Sequence, residues 1–198
     1  PQMVSSVDSV VSNSCHFLFV GTQFEIKGGE ALLKAFRRVY DRVPSIHLDI
    51  ITHLPEKYSE LAKSCQGIHI HAARFSRDEI YTQFMRKTDV LVLPTYAESF
   101  GMVALEGLAH GVALIATDVY ALREMVEDGR NGYLIKPPIS IWDGIMPSQY
   151  FYDMEHIKKH ITKMETTVFE EKLEMAIYEF SINPKFRLTA RQESVKIL

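Results

Sequence analysis

The sequence predicts an α/β fold: one doubly wound domain built on a parallel sheet. Three observations predict it. Apolar, β-branched runs recur at residues 15–21, 46–52, 68–72, 90–96, 112–117 and 133–135. Segments of helical length separate them, at about 29–43, 55–64, 77–86, 101–110 and 121–127, and strands alternating with helices make a parallel α/β sheet. Val90-Leu91-Val92-Leu93 is apolar without alternation, so both faces of that strand are expected to lie under helices.

The elements follow in order. The first strand ends at Gly21, and the helix after it sets Ala31, Leu32, Ala35, Phe36 and Val39 on one stripe, a 3.6-residue period. The four further strand runs up to 112–117 each lead through turn residues into a helical segment, and 133–135 closes the series. After Pro137-Pro138 the rhythm breaks. Residues 139–149 have loop composition, with the sole tryptophan, Trp142, and Gly144. Helices are expected at about 153–165 and 169–180, and Asn183-Pro184 reads as the cap and first turn of a last helix. The 198 residues therefore form one domain, with a core at 15–137, an insertion at 139–168 and C-terminal helices at 169–198.

Composition excludes several functions. The net charge of −3 leaves no global basic field for nucleic acid or acidic lipid, so an anionic ligand must be held by local chemistry. Cys15 and Cys65 have neither disulfide-framework nor metal spacing and read as reduced thiols, which points to a cytoplasmic setting. No apolar run approaches a membrane span, and no secretion signal opens the chain. The start at Pro1 rather than methionine carries the expectation of missing upstream sequence.

In a doubly wound sheet ligands sit beyond the carboxyl ends of the strands, where strand order reverses, so the loops after Val20, Thr52, Ala72, Leu93 and Ala116 are the ones to question. The first, from Gly21 and Thr22 to Lys27-Gly28-Gly29, fits neither phosphate-loop pattern. A Walker loop needs glycine before the lysine and Ser or Thr after it, and Ile26 and Gly28 stand there; adjacent Gly28 and Gly29 break G-x-G-x-x-G. What remains is a lysine beside glycines at a helix start, which suits an anion.

The loop after the fourth strand, Pro94-Thr95-Tyr96-Ala97-Glu98-Ser99-Phe100-Gly101-Met102, carries more. Ser99 is the N-cap candidate and Gly101 leaves the first helical N–H groups open to phosphate. Glu98 precedes the helix and Glu106 lies in its second turn. A carboxylate accepts two hydrogen bonds side by side, as a vicinal diol of ribose or hexose requires. The constellation suits a ligand that is sugar, diphosphate and ribose in sequence.

Glu98 and Glu106, seven residues between them and Ser99-Phe100-Gly101 inside, resemble the E-x7-E signature of family 4 retaining glycosyltransferases. Phe19-Val20-Gly21 with Lys27-Gly28 resembles that family's first loop. Val92-Leu93-Pro94-Thr95 is similar to the strand entering the signature. Glu124-x-Val126-x-Asp128-Gly129-x-Asn131-Gly132-Tyr133-Leu134-Ile135 is similar to the segment entering its last strand. The resemblance covers about 17–136, and loosely the stretch from Leu173 on. It implies the nucleotide-sugar-binding, Rossmann-like half of a two-domain GT-B enzyme. It further implies that Lys27 contacts the donor diphosphate, that Glu106 holds the ribose, that Glu98 touches the donor sugar, and that the backbone from Phe100 to Met102 lies against sugar and phosphate. No metal or other cofactor is expected. The acceptor is expected on a missing N-terminal domain, through which alone any peripheral membrane contact is expected.

Three departures stand out. Thr22 occupies the place of the family's arginine, for which Arg74 is the conceivable substitute. Tyr120-Ala121 replaces a glycine pair before Glu124. Residues 139–168 exceed the usual connection. Phe75 is read either as a base-stacking ring or as core packing. His69 with His71, and His156 with His160, lack a third ligand or an adjacent glutamate and are read as packing or surface; Ser5, Ser6 and Ser9 form no nucleophile elbow. A non-catalytic nucleotide-sugar-binding or sensing module and a sugar-nucleotide epimerase are the rival readings.

Overall fold

The structure, a computed structural model, describes residues 7, 12–98, 100–139, 142–143, 146–147, 154–161 and 163–197. Six parallel strands form the sheet: β1 (Cys15–Val20), β2 (Ile46–Thr52), β3 (Ile68–Ala72), β4 (Val90–Leu93), β5 (Ala113–Thr117) and β6 (Gly132–Ile135). Their order is β3-β2-β1-β4-β5-β6, so the order reverses between β1 and β4, which pair at Phe17↔Val90 and Leu18↔Leu91. Every residue of β4 is buried, as its unbroken apolar run predicts.

Helices cover both faces. On one, α1 (Gly29–Tyr40) buries its predicted stripe against Phe17, Phe19, Leu48 and Ile50. On the other, α3 (Arg77–Gln83), α4 (Met102–Ala109) and α5 (Leu122–Met125) pack over Leu18, Leu91, Leu93 and Leu114. The short α2 (Ser59–Lys63) links β2 to β3. α7 (Thr167–Ile182) buries Phe169, Leu173, Ala176, Ile177 and Phe180 in the α1-side core. In α8 (Pro184–Ser194), the Asn183 side chain accepts from the Phe186 N–H at 3.0 Å, the cap its Asn-Pro start predicts. Among the described residues no helix is long and apolar enough to cross a membrane.

The differences from expectation have local causes. The fourth strand ends at Leu93 rather than at 96, because Pro94 lacks an N–H for the ladder. Beyond it the Tyr96 N–H turns to the Ile26 carbonyl at 2.9 Å. Within the predicted loop 139–149, β7 (Trp142–Asp143) and β8 (Met146–Pro147) pair antiparallel. α6 (Met154–Ile161) is shorter than the predicted 153–165. Residues 140–141, 144–145, 148–153 and 162 of that insertion lie outside the described residues.

Two buried charge clusters tie the C-terminal helices down. Glu170 on α7 accepts from Arg38 at 2.8 Å and Lys34 at 3.3 Å, both on α1. Asp89, just before β4, accepts from the His16 N–H at 3.0 Å and from Arg191 at 2.9 Å. Buried Arg187 donates to the carbonyls of Phe180, Ser12 and Ser14. Both cysteines are free and buried; burial pushes the Cys15 thiol well above its usual range.

Candidate functional site

The loops after β1 and β4 meet beyond the carboxyl ends of the strands, at the reversal of strand order. Their contact is why glycine stands at 28. Gly28 is the N-cap of α1 with φ 72°, and a Cβ there would overlap the Pro94 carbonyl oxygen. Threonine hydroxyls fasten the β4 side: Thr95 donates to the Ala97 carbonyl at 2.6 Å, and Thr117 to the Thr95 carbonyl at 2.6 Å. On the β1 side Thr52 donates to the Gly21 carbonyl at 2.6 Å. Gly21 also makes room for Lys27, whose Cγ lies 3.0 Å from where a Cβ would stand.

On this frame the Lys27 ammonium donates to Glu98 at 2.8 Å and to the Ala97 carbonyl at 3.2 Å. The two side chains are 23% and 16% exposed, so the pair faces the mouth without being freely solvated. An ammonium has three donors, which leaves one beyond these two bonds.

α4 starts beside this pair. Its N-cap is Gly101, at φ 82°, and among the described residues no side chain caps it. The N-cap position falls on Gly101; the expected cap Ser99 lies outside the described residues. A side chain at 101 would press on Leu122, 2.6 Å from its Cβ position, so only a glycine brings the bare helix start this close. The first N–H groups of such a helix need an outside acceptor and carry partial positive charge. Phe100 and Met102 flank them, each 48% exposed. Glu106 shares the face of Met102 one turn on. Its carboxylate pairs with Arg77, the first residue of α3, at 3.0 Å and is 27% exposed.

The remaining candidates separate. Thr22 and Arg74 are exposed in their loops. Arg77, which the sequence reading did not single out, is the arginine whose ion pair reaches Glu106; no local motif marks it. Phe75 is half-buried and set edge-on to Phe84 at 5.1 Å and to His71 at 6.4 Å, the packing alternative. His71 shares a 2.7 Å hydrogen bond with Asp49, and His69 stacks on His47 at 6.2 Å. Burial pushes the Asp49 carboxyl up, but hydrogen bonds from Lys87 and His71 outweigh it and hold it below the usual value. Among the described residues no group of three or more His, Cys, Asp or Glu is placed to hold a metal. His160 is exposed on α6, and the His156 side chain and Ser5, Ser6 and Ser9 lie outside the described residues. Tyr120, where the resemblance expects glycine, still adopts φ 46°, the one positive φ among described non-glycine residues.

A separate groove of about 720 Å³ runs between β6 and α7, lined by Tyr133, Phe169, Lys172 and Met175 among others. It contains none of Lys27, Glu98 and Glu106. The mouth is the stronger site because the Lys27–Glu98 pair sits there beside the start of α4, the helix that also carries Glu106.

A family model described as glycosyl transferases group 1 matches residues 14–145. The D-inositol 3-phosphate glycosyltransferase of Paenarthrobacter aurescens (strain TC1) is 31% identical over 169 residues, covering 81% of this chain and 39% of that protein. The pneumococcal O-GlcNAc transferase GtfA, in a crystal structure with UDP and GlcNAc, superposes with a TM-score of 0.65 at 20% identity, over 97% of this chain and 34% of that one. The crystallised C-terminal domain of a group 1 family protein (LpcC) from Francisella tularensis has a TM-score of 0.61 at 20% identity, covering 93% of this chain and 83% of that domain. At such identities the structures share the fold, which is that of GT-B glycosyltransferases.

Proposed function

Because the chain belongs to the glycosyl transferases group 1 family, we propose that its mouth binds a nucleoside-diphosphate sugar as glycosyl donor. The one observation that carries this is the Lys27–Glu98 ion pair, held at 2.8 Å beside the glycine-capped start of α4. Lys27 and the first amides of α4 receive the diphosphate, Glu106 the ribose hydroxyls, and Glu98 a hydroxyl of the transferred sugar. Gly21, Ser99, Phe100, Gly101 and Met102 line the path between. Negative charge grows on the diphosphate as the glycosidic bond breaks. A cation and fixed N–H donors placed there favour that state over the ground state. The transfer is metal-independent and retains anomeric configuration, and the acceptor is held by a further domain of the parent protein. That this chain spans 39% of its relative's length supports the last point. Alone, the domain binds donor weakly and transfers nothing.

Calorimetry with a panel of nucleotide sugars tests the proposal. Heat of binding with at least one donor, weakened about tenfold or more by Glu106→Ala, is expected; tenfold is about 1.4 kcal/mol, the scale of a hydrogen bond to a charged group. Absence of heat with every donor, or an unchanged affinity in the variant, contradicts it. The exposed Thr22, standing where the resemblance expects a second cation, favours one alternative, a nucleotide-sugar-binding or sensing module without catalysis. A parent protein that carries an acceptor domain and transfers sugar rules that alternative out.

A further inference from the structure

Arg77 occupies an unusual place for a cation. It is the first residue of α3, where the helix dipole disfavours positive charge. The acidic residues that suit that end are present: Glu79 closes a capping box with Ser76, accepting from its backbone N–H and its hydroxyl, each at 2.8 Å. Arg77 adds nothing to this cap. Its recorded ion pair is with Glu106, on a different helix. The chain path explains what that pair spans. α3 and α4 pack on the same face of the sheet, over the side on which strand order reverses. A contact from the start of α3, just past the carboxyl end of β3, to the second turn of α4, just past that of β4, lies at the carboxyl edge of the sheet, the edge at which α/β domains bind ligands.

The pair is also incomplete. Arg77 Nη2 meets Oε1 of Glu106 at 3.0 Å, whereas a carboxylate offers about four acceptor sites on two oxygens. One oxygen is oriented and the second can still accept a diol. Arg77 is itself 69% exposed, so it is not needed for packing.

We infer that Arg77 is a positioning residue of the donor site: it holds the Glu106 carboxylate toward the crevice so that its second oxygen meets the ribose of the nucleotide. The inference rests on the donor reading above. Arg77 acts through Glu106 rather than on phosphate, so its effect is felt equally by a nucleoside and by its diphosphate. Because the pair is a single Nη2–Oε1 contact and not a bidentate fork, Arg77→Lys should keep part of the effect.

The test is a titration of UDP, GDP and ADP, and of the matching nucleosides, into wild type, Arg77→Ala, Arg77→Lys, Glu106→Gln and the Arg77→Ala/Glu106→Gln double variant, with thermal unfolding of each as the folding control. For the nucleotide that wild type binds best, Arg77→Ala is expected to weaken binding about three- to tenfold, with the same factor for the nucleoside. In the Glu106→Gln background Arg77→Ala is expected to cost nothing further, the non-additivity of residues that act as a unit. Equal losses in both backgrounds, a loss confined to the diphosphate, or no loss at all would overturn the inference while leaving the donor reading intact. Absence of binding of any nucleotide by wild type overturns the donor reading and this inference with it.

Discussion

Asp89 and Glu98 flank strand β4, one just before its first residue and one in the loop beyond its last, and the fold treats them in opposite ways. Asp89 is buried and held by the protein's own groups: a backbone N–H, Arg191 and the nearby Arg187 surround it, and Arg187 gives further donors to three carbonyls. Glu98 keeps 16% of its side chain in solvent and meets a lysine with a donor to spare, beside a helix start that opens on a glycine. A buried charge held by the protein's own groups fastens one element to another. A charge kept at the solvent-facing mouth beside exposed Phe100 and Met102 is, on the donor reading, placed to meet a ligand. On that reading the amino end of β4 is an anchor and its carboxyl end a receptor.

Substitutions can break that contrast. The largest effect is expected at the anchor. Arg187→Ala strips a buried cation from Asp89 and from three carbonyls, and should lower unfolding free energy by about 3–5 kcal/mol in denaturant titration; a loss below about 1 kcal/mol would show that the cluster is not an anchor. Next comes Gly28→Ala, which forces a Cβ into the Pro94 carbonyl at φ 72° and should cost about 2 kcal/mol or more while weakening donor binding, because it displaces both loops of the mouth. Lys27→Ala separates the two ends of β4: donor affinity should fall about tenfold or more, yet stability should change by about 1 kcal/mol or less, as for a partly exposed pair. Equal losses of stability and affinity would erase the distinction between anchor and receptor.

The smallest effect concerns pH at the anchor end. Burial first, and then the neighbouring His47, lower the His16 imidazole below its usual 6.5. Between the folded value and 6.5 the unfolded chain binds more protons, so stability rises with pH through that window. This contribution is fully present above 6.5 and is lost as pH falls to the folded value. His16→Gln should flatten the rise in unfolding free energy measured across that window; an unaltered slope would assign it to other groups.

How much of this was legible in the sequence depended on the range of the interaction. β4 and β5 were readable because a strand buried on both faces writes its burial as a continuous apolar run, as in Val90 to Leu93; the less buried edge strands β3 and β6 were readable from their short β-branched runs between turns. The stripe of α1 and the Asn183 cap were readable because their partners lie within a turn or two. Residues 139–149 were not, since their short hairpin has loop composition and pairs only two residues a side. In the site, the resemblance pointed to Lys27, Glu98 and Glu106 together. No periodicity could tell that Lys27 reaches a carboxylate 71 residues away, or that Gly28 is there for Pro94. Arg77 was invisible because a basic residue opening an exposed helix looks like any solvated arginine until its partner on α4 is seen. Tyr120 teaches the converse: a tyrosine stands where the resemblance expects glycine, yet its backbone is left-handed at φ 46°.

A crystal of this domain soaked with nucleotide sugars asks the question most directly. The account predicts a diphosphate within hydrogen-bonding distance of Lys27 Nζ and the first amides of α4, with the ribose hydroxyls on Glu106. A ligand ordered instead in the groove between β6 and α7, or a diphosphate that leaves Lys27 and the start of α4 untouched, would contradict it.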